Sequence, residues 1–572
     1  MNKPAEPQHW FSKIEQAKVV SSEHDIAWTE ETDLLVVGYG AAGASAALEG
    51  RENGLDVTVL DRFAGGGATV MSGGVVYAGG GTSVQQSVGE VDSPQAMFDY
   101  LKLETQGVVK DETLMRFCQQ SSANLDWLMS HGVKFAGPVY KEKTSYPNVK
   151  YFLYHSDNSL LPRYRGKHGP AARGHRGVIK NGNSAVNLGG SLFWPMRESA
   201  KKLGVVIETQ TEARQLIVDE EGRVLGIKAL KLIKGSDAEK RHQRYSRWAA
   251  RLAKFFPNML PGGKSMRRLV QKFRNKVRLI EETEREVIYY RARSGVVLSA
   301  GGFIFNRKMV KHYCPKYLQG LPLGTHADDG SGIRLGESAG GATKLMQNAT
   351  AWRFINPPHA WSKGMIVNQQ GARFVNEASY GATIGEAMVE RNNGKAWLIL
   401  DSALVKQAWK EITPGKVLPF QQILTALNHL VVKKKFNTVE ALCKHFGFDH
   451  ETVKDRLHNY SLVAQGEIED EFGKTKKDAA LLKAPFHVID ISLAQPFLPC
   501  TVLTMGGLDV NEATGQVVNA DKQVIEGLYA AGRTAVGIPS KLYMSGLSLA
   551  DCIFSGRRAA SHAATRNPRE KQ

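Results

Sequence analysis

Residues 33–61 read DLLVVGYGAAGASAALEGRENGLDVTVLD, and this stretch decides the fold. An apolar, β-branched run is followed by a glycine turn, an alanine-rich segment, a break at Asn53-Gly54 and a second apolar run ending on Asp61. The pattern predicts a strand, a helix and a second, parallel strand. Within it Gly38 permits the tight turn, Gly40 lets a pyrophosphate approach the backbone, and Gly43 allows helix and strand to pack closely. The helix would begin at Ala41-Ala42, offering free N–H groups and a positive dipole end to phosphates. Asp61 lies 23 residues beyond Gly38, the position from which a carboxylate accepts from ribose hydroxyls.

The next segment, FAGGGATVMSGGVVYAGGGT (63–82), holds a second glycine-rich loop, for which a nicotinamide enzyme has no need. Arg62, Gly67, Ala68, Thr69, Ser72, Gly73 and Gly74 therefore join the candidate cofactor residues. The order of motifs resembles the FAD-dependent fumarate reductase and 3-ketosteroid dehydrogenase superfamily. GVVLSAGGF (295–303) resembles the returning strand and turn, with Ala300, Gly301 and Gly302. THADDGSGIRLGESAGG (325–341), with Asp329, resembles the family's Gly-Asp-Gly helix, and GARFVNEASY (371–380) its Arg-Phe-x-Asn-Glu element. TMGGLDVN (504–511) and GLYAAGRTA (527–535), with Gly532, resemble its last hairpin and flavin strand. The resemblance implies non-covalent FAD and an α/β fold in which a Rossmann-like FAD-binding domain is built from residues 1–344 and 503–572. It also implies an α+β substrate domain at 345–502. Helical spacing at 420–435, 438–447 and 449–465 reads as scaffold, and the four histidines there are not spaced as metal ligands, so no metal is expected.

Fumarate reductases of this family carry an arginine near the C-terminus that holds a carboxylate. This chain has IPSKLYMSGLSLADCIFSGRRAA (538–560) instead, with Tyr543 and Ser545 in that region. Phenol and hydroxyl groups suit a neutral ketone. The Tyr-x-Ser arrangement is similar to the 3-ketosteroid Δ4-(5α)-dehydrogenases, and the resemblance carries their two tyrosines and serine onto Tyr380, Tyr543 and Ser545. It implies oxidation of a 3-oxosteroid to the α,β-unsaturated ketone at C4–C5, with Δ1-dehydrogenation as the alternative and a fumarate-reductase-like reaction more distant. A tyrosine phenolate would need stabilising neighbours. A helix starting near Ser548-Leu549 would aim its N–H groups at the flavin pyrimidine. Related Δ1-dehydrogenases carry a further active-site tyrosine in this part of the chain, and the sequence does not say which of Tyr140, Tyr146, Tyr151 and Tyr154, if any, corresponds to it. The basic run 163–177 reads as a solvated loop, or as a lid touching FAD phosphates.

The chain has 572 residues, 42% of them apolar, and a net charge of +18, which excludes a disordered or fibrous protein. Thirteen Lys or Arg and no acid fall in 240–278, leaving +5 for the rest. There Tyr245, Trp248, Leu252, Phe255 and Phe256 share one helical face, and Met266, Leu269, Val270, Phe273 and Val277 another, on either side of Pro261-Gly262-Gly263. Two basic amphipathic helices within an insertion at 234–285 fit an anionic membrane surface. A subunit contact is the second reading, and nucleic acid is disfavoured for want of a nucleic-acid fold signature. Five scattered cysteines, no export signal and no long apolar run predict a cytoplasmic enzyme peripherally attached to the inner face of the cell membrane, passing electrons to a quinone or other external acceptor.

Overall fold

The computed structural model describes residues 13–148, 150–166, 168–178, 188–255 and 263–566. The predicted unit forms as strand Glu30–Val37, helix Ala41–Glu52 and strand Val57–Asp61, whose two strands pair in parallel. Parallel neighbours extend the sheet on both sides, giving the order 524–530, 285–298, 30–37, 57–61, 206–209. Its central strands are buried on both faces, which is why they read as unbroken apolar runs. The N-terminal half of the long strand Arg285–Leu298 pairs antiparallel with Val224–Leu232, which carries the same sheet on toward Thr211–Val218.

Gly43 explains the close helix–strand packing. A Cβ there would lie 1.9 Å from the Gly38 carbonyl oxygen. The C-terminal helix Leu547–Ala564 packs along Ala41–Glu52, where a Cβ on Gly556 would lie 2.4 Å from the Ala42 oxygen. Both helices start at the same edge of the sheet, so their N-termini share one opening.

A second, antiparallel sheet runs in the order 365–367, 397–401, 486–490, 434–436, and helices Gly381–Arg391, Ser402–Glu411, Val439–Phe446 and His450–Gln465 accompany it. Strands Val75–Tyr77, Gly174–Arg176, Leu153–Tyr154 and Val139–Tyr140 make a third small sheet.

The basic insertion is a helical hairpin, Asp237–Phe255 and Gly263–Thr283. Its apolar residues divide. Ala249, Val270, Val277 and Ile280 are buried, and the Tyr245 and Phe273 rings meet at 5.9 Å. Trp248, Leu269 and Leu279 stay exposed. Part of the predicted lipid-facing surface thus joins the two helices to each other. Phe256 and Pro261-Gly262 lie outside the described residues, as do the side chains of Lys254, Phe255 and Arg267.

The basic run 163–177 divides. Arg163, Arg165 and His168 are exposed, as a solvated loop would be, whereas Ala171–Gly177 are buried: Arg173 pairs with Asp92 at 2.7 Å, and Arg176 donates to the carbonyl oxygens of Pro147, Asn148 and Tyr151. Lys167 of that run lies outside the described residues. Among the described residues no helix is long and apolar enough to cross a membrane, and all five cysteines are unpaired.

Candidate active site

A cavity of about 390 Å³ opens where the two helix N-termini converge. Its glycine wall follows from backbone geometry. Gly38 has φ +96°, and a Cβ there would stand 2.7 Å from Ala300 Cα. Gly546 has φ +88°, and its Cβ would stand 2.6 Å from the Tyr77 nitrogen. Only glycine suits either position.

Of the sequence-predicted cofactor residues, Gly38, Gly40, Ala41, Ala42, Asp61, Arg62, Gly67, Ala68, Thr69, Ser72, Gly73, Ala300, Gly301, Asp329, Ser548 and Leu549 line this cavity. Gly43, Gly74, Gly302 and Gly532 stand behind it. Each occupies a place where a Cβ would strike a neighbour: the Gly38 oxygen, the Leu188 oxygen, Thr504 and Ala42 respectively. Thr69 Oγ1 accepts from the Ala41 nitrogen at 2.9 Å, tying the second glycine loop to the first helix.

Asp61 is more committed than its spacing implied. Its two oxygens accept from the backbone nitrogens of Tyr39, Phe63 and Gly65 at 2.8–3.1 Å. A carboxylate offers about four acceptor positions, so one remains for a ribose hydroxyl.

Arg62 meets three carboxylates, Glu281 at 2.8 Å, Asp329 at 3.3 Å and Glu212 at 3.4 Å. Glu281 comes from the second hairpin helix and also meets His242 of the first at 3.1 Å. Burial would raise the Glu281 carboxyl, but Arg62 and His242 override it and hold it at about 2. Neither Glu212 nor Glu281 was marked by sequence spacing.

Arg533 was missed as well. One guanidinium nitrogen pairs with Asp328, and the other, Nη1, is buried on the cavity wall with no hydrogen-bond partner among the described residues. The N-terminus of helix Ala41–Glu52, a glycine cradle and the free Nη1 of Arg533 fit the diphosphate of a dinucleotide, with the second helix N-terminus left for the flavin ring, so the residues present fit FAD.

At the other end the lining turns apolar and aromatic, with Met71, Val75, Leu323, Tyr146, Trp352, Phe354, Phe420 and Leu503. Tyr543 and Ser545 lie on this wall, on the turn that leads into the C-terminal helix. Tyr380 caps helix Gly381–Arg391 beside them, its ring 6.1 Å from that of Trp352, which itself lies 6.4 Å from Tyr543. Tyr380 faces a small adjoining pocket rather than lining the main cavity. The structure thus brings Tyr380 and Tyr543 to Trp352, with Ser545 on the same cavity wall as Tyr543.

Two of the four undecided tyrosines join them. The Tyr154 hydroxyl meets Ser545 Oγ at 3.0 Å. Tyr146 places its hydroxyl 1.0 Å from where a Gly73 Cβ would be, so Gly73 is what admits it. Tyr140 and Tyr151 pair with each other instead, at 5.1 Å. Asn158 fixes the arrangement from behind, accepting from the Tyr380 backbone nitrogen at 2.6 Å and donating to Glu104 and Thr383, each at 2.9 Å.

The electrostatics depart from expectation. Burial pushes the Tyr543 phenol up to about 12, against smaller opposing effects of Arg533 and a Gly546 backbone hydrogen bond. Burial also raises Tyr380 well above the usual phenol value, helped by Tyr543, Tyr154 and Tyr146 and offset in part by Ser545. The neighbours expected to favour a phenolate are outweighed by desolvation. Both phenols stay protonated at neutral pH, and the Tyr380 hydroxyl is buried with no hydrogen-bond partner among the described residues.

Comparison with known proteins agrees with this geometry. The FAD binding domain family matches residues 33–546. A 3-oxo-5-alpha-steroid 4-dehydrogenase of Comamonas testosteroni is 37% identical over 520 residues, covering 90% of this chain and 94% of that one. A cytochrome-type fumarate reductase of Shewanella frigidimarina is 23% identical, with 96% and 79% covered. Among solved structures, the 3-ketosteroid-Δ4-(5α)-dehydrogenase of Rhodococcus jostii RHA1, in complex with 4-androstene-3,17-dione, superposes with a TM-score of 0.79 at 26% identity, covering 96% and 99%. With a matching family model over most of its length and a glycine cradle that fits the cofactor, the chain belongs to the FAD-binding-domain family that holds the 3-oxosteroid dehydrogenases and fumarate reductases.

Proposed function

We propose that the chain is an FAD-dependent dehydrogenase of 3-oxosteroids, forming the C4–C5 double bond of a 3-oxo-5α-steroid. The observation that carries this reading is the pair of neutral donors Tyr543 and Ser545 on the apolar wall of the cavity, with Tyr154 bonded to Ser545 and Tyr380 beside Trp352 just behind that wall. A saturated ketone loses an α-proton only when charge developing on its oxygen is stabilised. Protonated Tyr543 donates to that oxygen. Tyr380, with its hydroxyl oxygen open to accept, takes the α-proton as its own proton is released toward solvent through the small pocket it faces. A concerted release avoids a free phenolate, which burial makes costly. When bound, FAD supplies the acceptor for two electrons and the β-hydrogen. Arg533 and the glycine turn at Gly38–Gly43 hold its diphosphate without a covalent link. An external acceptor such as a quinone then reoxidises it.

The substrate domain is residues 345–502, inserted between the two parts of the FAD domain, 1–344 and 503–572. The hairpin within 234–285 rests on an anionic surface at the inner face of the cell membrane through Arg244, Arg247, Arg251, Arg268, Lys272 and Lys276, with exposed Trp248 and Leu269 between them.

Anaerobic mixing with a 5α-reduced 3-oxosteroid is expected to bleach the flavin and yield the 4-ene. A 1-ene product would instead assign Δ1-dehydrogenation, and no bleaching with any 3-oxosteroid would reject the reading. Tyr543→Phe should lower turnover by roughly 100-fold or more while FAD stays bound.

A further inference from the structure

The helix Pro419–Leu427 and the π-helical turn Asn428–Val432 that continues it are built inside out. Their polar side chains are buried. Gln421 donates to the Tyr146 oxygen and accepts from the Leu418 nitrogen. Asn428 donates to the Phe497 oxygen at 2.8 Å, and His429 accepts from the Trp361 indole at 2.9 Å. Thr425 is buried beside them. Their large apolar side chains point outward, with Phe420 40%, Ile423 57%, Leu430 74% and Val431 54% exposed. Water-facing helices show the opposite arrangement, and a contiguous exposed apolar face marks a contact surface.

Three further observations identify what the face meets. Lys433, Lys434 and Lys435 follow it directly in sequence, and Lys434 and Lys435 are exposed. Trp409, 38% exposed, packs edge-on against His429 at 5.3 Å, so an indole stands at the rim of the patch. Phe420 is at once part of this exposed face and part of the cavity lining. Apolar residues flanked by lysines and an amphipathic aromatic match the boundary of an anionic bilayer.

We infer that residues 419–435 form a lipid-seated lip at the mouth of the active-site cavity, through which an apolar substrate enters from an anionic membrane. The entry role rests on the steroid reading above; the lipid contact does not. This surface is separate from the basic hairpin and differs from it in kind. The hairpin offers many charges and little exposed apolar area, whereas the lip offers apolar area next to the substrate end. Phe420 borders both the exposed face and the cavity, and the Gln421 contact to the Tyr146 carbonyl oxygen anchors the helix beside the aromatic wall.

The test uses the full-length FAD-loaded enzyme and a double variant, Ile423→Gln with Leu430→Gln, two exposed positions outside the cavity lining. Co-sedimentation is measured with phosphatidylglycerol-containing and with purely zwitterionic vesicles. High salt screens charge attraction by the hairpin and leaves apolar insertion in place. Wild-type enzyme should favour the anionic vesicles and keep measurable binding at high salt. The double variant should lose roughly tenfold or more of that residual binding, as expected when two buried aliphatic side chains become polar. Its kcat/KM should fall by a similar factor for steroid delivered in vesicles and stay unchanged for detergent-dispersed steroid. Wild-type enzyme that never sediments, or a double variant that sediments like wild type, overturns the inference. So does a self-association, seen by sedimentation velocity, that the double variant abolishes, because the face then belongs to a second copy. Absence of steroid turnover in both delivery forms would reject the steroid reading alone, and vesicle partition would still decide the lipid contact.

Discussion

The two ends of the cavity are made in different ways. At the cofactor end the wall is backbone, where glycines remove obstacles and helix N-termini supply donors, and few side chains take part. At the substrate end the wall is side chain, with aromatic rings brought from five separate segments around residues 146, 154, 352, 380 and 543. Backbone walls depend on local sequence and tolerate almost no added atom. Side-chain walls depend on tertiary packing, and their chemistry changes with one functional group. Substitutions at the first end should therefore remove the cofactor, and those at the second should slow the reaction with the cofactor in place.

Gly43→Ala tests this most severely. Its Cβ would stand 1.9 Å from the Gly38 oxygen, with backbone on one side and Ser299 on the other. Relief requires moving the turn itself, and overpacking of about 3 kcal/mol corresponds to roughly 100-fold weaker FAD binding. Flavin titration of the apoprotein measures it. Gly40→Ala is the companion, since its Cβ meets only Thr69 Oγ1 at 3.4 Å and leaves the fold unstrained. Its loss of FAD affinity would report intrusion on the diphosphate alone. A Gly43→Ala protein that keeps its flavin but loses turnover would break the distinction between the two ends.

The substrate end makes a claim about pH. Burial holds the Tyr543 phenol at about 12, so the protonated donor is the form present below that value. Donor function should persist through pH 11 and decline only as pH rises toward 12. An ordinary phenol with a pKa of ~10 would already have lost about tenfold at pH 11. The alkaline limb of kcat/KM, compared between wild type and Tyr543→Phe, separates these cases. A kcat/KM that instead rises with pH up to about 10, with the rise lost in the variant, would show Tyr543 acting as a phenolate.

The same division explains what could be read from sequence. The fingerprint from Gly38 to Asp61 acts within one strand-turn-helix unit, so spacing alone placed its residues on the cavity. Tyr543 and Ser545 were legible because the turn before the last helix is also a local motif. Tyr146 and Tyr154 were not separable from Tyr140 and Tyr151, because the small sheet pairing Leu153–Tyr154 with Gly174–Arg176 decides which rings turn inward. The helix at 420–432 shows a subtler limit. Its apolar period was visible, but a period does not say which side the core lies on. Gln421, Thr425, Asn428 and His429 repeat with nearly the same spacing, and they are the buried set. Arg533 gave no signal, since its role appears only when Gly301 and Asp328 approach it across the fold.

Glu281 crosses the boundary between the regions and gives the smallest expected effect. It belongs to the basic hairpin, yet its carboxylate reaches Arg62 at 2.8 Å, on the residue after Asp61. Two other carboxylates, Glu212 and Asp329, already hold Arg62, so Glu281→Gln removes one of three and keeps the side-chain shape. FAD affinity should weaken only about threefold, a small step because a half-buried cation losing one partner keeps the others. Hydrogen exchange over 237–283 should rise in the same variant, because the contact to His242 also weakens. The pH dependence has a defined sign. The folded carboxyl titrates at about 2 against an ordinary 4.5, so its contribution is complete above about 4.5 and is lost as pH falls toward 2. Acid-induced flavin release should accordingly begin at higher pH in Glu281→Gln than in wild type. If FAD affinity, exchange and acid release are all unchanged, the hairpin is energetically separate from the cofactor end, and the contact at Arg62 is only an adjacency.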